Sequence, residues 1–176
     1  MAFDDILGDL NRRKQKALAM GGSEKLARRR NEGVLNARER IEKLLDPNTF
    51  VESGLYATSH RPEVKDRSPA DGKIAGFGKI DARPVALVSN DFTVLGASSS
   101  VINGKKIRHM REIANRSGMP LVFLGESSGA RMPDRMGAQG RAILGQDPTE
   151  YQRRRQSPWV SALFAITPLA RAPSMP

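Results

Sequence analysis

Apolar residues recur at helical steps through residues 3–18 and 24–45, and from residue 72 onward the pattern changes to the short apolar runs of strands. The two predicted helices are separated by Met20-Gly21-Gly22-Ser23, whose glycines stop the first and whose serine can cap the second. In the second, Leu26, Val34, Ala37, Ile41, Leu44 and Leu45 mark one face, and "ARRRNEG" (27–33) reads as the solvated face of an arm lying on a larger body. Asp46-Pro47-Asn48 ends that segment, and "TSHRPEVKDRSPADG" (58–72) has the proline, glycine and charge of an exposed loop. "KIAGFGKI" (73–80) and "PVALVSNDF" (84–92), joined by Asp81-Ala82-Arg83, predict a β-hairpin whose second strand is buried. A helix follows from about 99 to 116, with Val101, Ile107, Met110, Ile113 and Ala114 inward and Ser117-Gly118 at its exit. "MPLVFLGE" (119–126) is a further buried strand. Strand, strand, helix, strand is the unit of a ββα spiral, and it also opens many other α/β layers.

Composition narrows this picture. A chain of 176 residues holds one core, and 39% hydrophobic with 5% aromatic residues makes that core lean. Without cysteine, disulfides, thiolate-zinc sites and cysteine nucleophiles are excluded. The N-terminal "MAFDDILGDL" is acidic where a targeting peptide is basic, and no apolar run reaches the length of a membrane span, so a cytoplasmic protein is expected. The net charge of +10 is uneven: residues 101–176 hold 12 basic against 5 acidic groups, whereas 47–100 hold 6 of each. Such a surface suits any polyphosphate, including a nucleotide-tailed cofactor. The two tyrosines are scattered and no basic-aromatic interleaving forms a base-stacking platform, which argues against nucleic acid.

The chemistry centres on Gly125-Glu126-Ser127-Ser128-Gly129-Ala130-Arg131, directly after the apolar run Leu121-Val122-Phe123-Leu124. It satisfies G-x-S-x-G, the nucleophile elbow, but that elbow needs a histidine later in the chain, and His60 and His109 both come earlier. The other use of small residues at a strand end is backbone approach, in which main-chain N–H groups hold the oxygen of a developing enolate or tetrahedral centre. A second small-residue turn, Leu95-Gly96-Ala97-Ser98, follows the preceding strand and can lie beside the first. An ordinary pair of strand-to-helix turns accounts for the same residues.

"LNARERIEKLLDPNTFVE" (35–52), "ADGKIAGFGKID" (70–81), "SNDFTVLGAS" (89–98), "NGKKI" (103–107) and "ESSGARM" (126–132) together resemble the carboxyltransferase subunit of biotin-dependent acyl-CoA carboxylases, of the propionyl-CoA carboxylase β-chain type. The resemblance implies an α/β crotonase-like (ClpP/crotonase) ββα spiral, here incomplete and preceded by an N-terminal helical arm. It implies arm residues 1–46, part of the acyl-CoA-binding domain at 47–162, and an aberrant or disordered tail at 163–176 from truncation or frameshift. It further implies carboxyl transfer from biotin, carried on a separate domain, to the α-carbon of a short acyl-CoA through an enolate held by backbone N–H groups. The family's Asp-Ser-Gly-Gly-Ala-Arg falls on residues 126–131, so the donors map to the N–H groups of Ser128 and Gly129, with no side-chain base and no metal. Gly96, Ala97, Lys106, Ala130 and Arg131 map to walls or charge partners for the acyl-CoA. Ser128 and Ala97 stand where the family has glycine, so a positive φ at either brings strain. The implied partners are a biotin carboxylase and biotin carrier subunit and further copies of the chain, and the fragment alone is expected to be inactive. The alternative from another class is a basic, non-catalytic protein that binds nucleic acid or another polyanion.

Overall fold

The predicted hairpin is the centre of the molecule. The computed structural model describes residues 2–136 and 161–165. Strands β2 (Lys73–Ile80) and β3 (Arg83–Asn90) pair antiparallel along their full length, Lys73 opposite Asn90 and Ile80 opposite Arg83. The turn between them holds Asp81 and Ala82 at φ 48° and 64°, the sign that a two-residue turn needs to match strand twist. The Asp46 carboxylate steadies it by accepting from the N–H groups of Asp81 (3.1 Å) and Ala82 (2.8 Å).

Around the hairpin the sheet grows in both directions. Strand β1 (Val51–Ser53) adds antiparallel to β2, β4 (Leu121–Gly125) adds parallel to β3, and β5 (Ser161–Ala165) adds parallel to β4. Strand β5 runs on through Leu163, Phe164 and Ala165, which lie in the segment expected to be an aperiodic tail. Five residues paired to a neighbouring backbone need no periodicity of their own. The rest of that expected tail, 166–176, lies outside the described residues, as do 137–160.

Both faces of the central strands are covered, which is why β3 is apolar through its middle, from Val85 to Val88. On one face Ile74, Val85, Leu87, Val122 and Leu124 pack with Ile41 and Leu45 from the region of α3 (Ala37–Leu44) and with Met20 after α1 (Ala2–Leu18). On the other, Ala75, Ala86, Val88 and Leu121 meet Met110 and Ala114 of α5 (Val101–Ser117). Alanines on that face let the helix lie close to the sheet. Helix α5 begins in a capping box: Ser100 Oγ accepts from the Asn103 N–H (3.2 Å) and Asn103 Oδ1 accepts from the Ser100 N–H (3.0 Å). It ends at Gly118, φ 65°.

Three expectations change. Ser23, expected to cap the second helix, is its first residue and makes no capping bond, because Gly22 holds the N-cap position. The helix foreseen over 24–45 is two helices, α2 (Ser23–Asn31) and α3, because Asn36 accepts from the N–H groups of Arg38 and Glu39 while the Glu39 carboxylate accepts from Asn36 N–H. That capping box opens a new helix where apolar spacing suggests continuation. The loop foreseen at 58–72 is exposed only in part: after the short α4 (Pro62–Lys65), Ser68, Ala70 and Asp71 are buried. Among the described residues no helix is long and apolar enough to cross a membrane.

Two buried lysines stitch these layers. Lys106 of α5 donates to the carbonyls of Gly54 (3.0 Å), Ala70 (3.1 Å) and Lys73, and the Lys73 ammonium donates to Ala97 O (2.8 Å). Burial lowers both groups from 10.5 to about 8. Below about pH 8 both states are fully protonated, and between about 8 and 10.5 the unfolded chain binds protons that the folded chain has released. Stability to urea should therefore rise across that window, and a Lys106→Met variant should show a smaller rise; a midpoint flat or falling in the parent chain contradicts the assignment. In the hairpin turn, Ala82→Gly relieves an exposed residue at φ 64° and should add about 1 kcal/mol, read from the shift in urea midpoint at constant slope.

Candidate active site

Strands β3 and β4 run parallel and side by side, so their carboxyl ends deliver two turns to one place. The first, Leu95–Ala97, holds all three residues left-handed, at φ 49°, 60° and 50°. The second is Ser127-Ser128-Gly129-Ala130, whose side chains are all exposed. They are joined edge to edge. The Ser128 N–H donates to Gly96 O (2.8 Å), the Ser99 N–H to Gly129 O (2.8 Å), and the Arg131 N–H to Ser99 O (2.9 Å), with a parallel bridge between Ser99 and Ala130. At Gly96 a Cβ would lie 2.9 Å from the Ser128 Cβ, so only glycine permits this approach.

A buried carboxylate organises the surroundings. Asp71 sits in another left-handed turn, with Ala70, Asp71 and Gly72 at φ 49°, 46° and 69°. Its carboxylate accepts from Ser100 Oγ, the Asn103 N–H (3.1 Å) and Arg131 Nη1 (2.6 Å). Asn103 Nδ2 donates in turn to Ser98 O (2.8 Å), and Arg131 Nε to Ser98 Oγ (3.2 Å). Asp134, in α6 (Met132–Arg135), is buried 3.8 Å from Arg131 Nε and 3.4 Å from His60 Nδ1.

On the other side of the turn stands Glu126, whose side chain is 0% exposed. It accepts from Arg29 of α2 and from Arg40 Nη2 of α3 (2.9 Å), and its own carbonyl accepts from Asn90 Nδ2 (2.7 Å). Arg40 also reaches Asn90 O (3.2 Å), and Arg29 lies 5.2 Å from the Phe92 ring centre. Desolvation lowers the Arg40 pKa and the facing Glu126 opposes that shift. Asp91, nearby, is raised by burial against the bonds it accepts from Thr93.

The structure thus brings Gly96, Ala97, Ser128, Gly129 and Ala130 together and corrects several expectations about them. Ser128 carries no positive-φ strain, because the left-handed position is Gly129 at φ 112°; the strained departure from glycine is Ala97. Nor is the Ser128 N–H open to a ligand, since Gly96 O already takes it, while among the described residues the Gly129 N–H is held only by Ser127 Oγ at 3.1 Å. Lys106 and Arg131 are not surface charges facing a phosphate: both are buried, bonded to backbone carbonyls and to Asp71 respectively. Arg29, placed by pattern on a solvated face, is buried against Glu126. Asp71, Asn103 and Arg40 lie in the segments that carry the resemblance, but nothing local marked them as site residues. Only the S-x-x-N spacing of Ser100 and Asn103 offered a signal, as a capping box.

Known proteins resemble this chain over most of its length. Residues 28–146 match the family model described as carboxyl transferase domain. The propionyl-CoA carboxylase beta chain of Saccharopolyspora erythraea is 37% identical over 137 residues, covering 76% of this chain and 25% of that protein. The mitochondrial beta chain of Sus scrofa is 35% identical over 130 residues, or 71% and 24% of the two chains. Among solved structures, hexameric transcarboxylase 12S with methylmalonyl-coenzyme A bound superposes with a TM-score of 0.76 at 30% identity, covering 91% of this chain and 32% of that one. A single-chain, multi-domain long-chain acyl-CoA carboxylase gives 0.74 at 29%, covering 89% and 17%. The fold is therefore crotonase-like, and the chain spans about a quarter of the length of the curated relatives it matches. None of these supports the polyanion-binding alternative. With a family model matched across α3, both joined turns and the two buried anchors, the chain belongs to the carboxyl transferase domain family.

Proposed function

We propose that this chain builds the acyl-CoA side of a carboxyltransferase site, with residues 1–46 as its arm and 47–162 as part of the catalytic domain. The complete protein moves a carboxyl group from biotin to the α-carbon of a short acyl-CoA. The observation that carries this reading is the edge-to-edge junction of the turns at Gly96 and Ser128, which leaves exposed backbone at the carboxyl ends of two parallel strands.

Loss of an α-proton from a thioester places negative charge on the thioester oxygen, and preorganised N–H donors stabilise it. The Gly129 N–H is the donor suited to this. Its present acceptor is a serine hydroxyl that one side-chain rotation removes, and glycine leaves the approach free of a Cβ. Ser128 contributes the complementary part, its N–H clamping the turn to Gly96. Gly96, Ala97 and Ala130 wall the thioester, while Lys106 and Arg131 hold neighbouring residues in place, at Ala70 and Lys73 and at Ser98 and Asp71 respectively. The carboxylates of Asp71 and Glu126 are buried in ion pairs, so neither offers a free base for the α-proton. Biotin, when delivered on its carrier, supplies the carboxyl group and the base for the α-proton. The partners on this reading are a biotin carrier with its carboxylase and further copies of the chain.

Binding tests the proposal directly. A short acyl-CoA should raise the melting temperature of the chain, ADP should not, and Gly96→Ala, which pushes the turns apart, should weaken acyl-CoA affinity at least about tenfold. Gly104→Ala, on the open face of α5, should leave affinity unchanged and add up to about 1 kcal/mol of stability. An equal shift with ADP sinks the reading. These 176 residues alone are expected to give no turnover with biotin and acyl-CoA, since the relatives are about three times as long; carboxylated product above the no-protein rate would refute that.

A further inference from the structure

We infer that Arg29 and Arg40, on the arm helices, are positioning residues for the turn at 127–130, acting through the buried carboxylate of Glu126. The inference rests on the proposal that this turn holds the thioester oxygen.

Its basis is a contrast in how the turn is held. Ser127-Ser128-Gly129-Ala130 is exposed and contributes nothing to the core, yet the residue before it is buried and bonded through both its carboxylate and its carbonyl. The Glu126 side chain is clamped by two guanidinium groups from two different helices, and its carbonyl is fixed by Asn90 Nδ2 at the end of β3. Arg40 spans both strand ends, donating to Asn90 O and to Glu126 Oε2. The arm therefore sets the distance between β3 and β4 at the point where the two turns leave them.

Packing alone does not require this arrangement. Withdrawing three charges from water cancels most of their attraction, and apolar side chains of similar volume hold such a junction as well or better. What apolar contacts lack is direction. A two-pronged, charge-assisted clamp specifies where a carboxylate lies, and so where the following backbone begins.

The test separates packing from positioning. In the triple variant Arg29→Met, Arg40→Met, Glu126→Met the fold should persist, with an unchanged or higher urea midpoint. Hydrogen exchange at the Ser128 amide should nevertheless accelerate about tenfold or more while amides of β2 and β3 keep their protection. The preference for acyl-CoA over free CoA, which isolates the thioester contact, should fall by about tenfold. If the triple variant does not fold, Arg29→Met, which leaves the Arg40 bond to Glu126, carries the same readouts at several-fold size. A folded variant with parental exchange at Ser128 and parental thioester preference overturns the inference. Should the parent chain show no thioester preference, the functional proposal fails, and exchange at Ser128 still decides whether the arm positions the turn.

Discussion

The carboxylate of Asp71 is the constraint on which the rest of the site depends. A charge taken wholly out of water costs several kcal/mol unless it is paired and hydrogen-bonded, so its partners cannot be optional. Those partners come from three directions: the start of α5 through Ser100 and Asn103, the loop after β3 through the Asn103 link to Ser98, and the segment after β4 through Arg131. Satisfying one carboxylate therefore docks a helix, a turn and a strand end onto each other. It also explains how left-handed backbone persists at Ala70, Asp71, Leu95 and Ala97, each of which carries about 1 kcal/mol or more of strain. The bonds converging on these turns over-determine their shape.

The sequence "ESSGAR" is best understood as an exposed turn strung between two buried ions. Glu126 is fixed on one side by Arg29 and Arg40, and Arg131 on the other by Asp71. The intervening small residues add no side chain to the core: their ends are held, and their backbone meets the turn at Gly96. This arrangement suits a site that works through backbone N–H groups, which must be placed accurately yet stay uncovered. Lys73 and Lys106 complete it by donating to carbonyls of the left-handed turns, Ala97 O and Ala70 O respectively.

Such a site is paid for in stability elsewhere. Buried ions and two lysines held below their ordinary pKa stabilise little, and they occupy space that a leaner core could fill with apolar atoms. The apolar layers on either face of β3 carry the fold, and the polar junction at the sheet's carboxyl end carries the specificity of its geometry.

Local order was legible in the sequence. The hairpin at 73–90, helix α5 with its terminal glycine, strand β4 and the small-residue turns all follow from periodicity and end signals, which depend on neighbours a few residues apart. The "ESSGARM" segment and its companions likewise pointed to the family before any fold was in hand. Tertiary structure alone decided which charges are buried and which N–H groups are already taken. Arg29 meets Glu126 across 97 residues and Arg131 meets Asp71 across 60, and no local pattern distinguishes a guanidinium bound for the interior from one bound for water. Residue type determined that Ser128 would offer an N–H beside Gly129; only the approach of Gly96, brought by the parallel pairing of β3 and β4, decided that this N–H holds the two turns together.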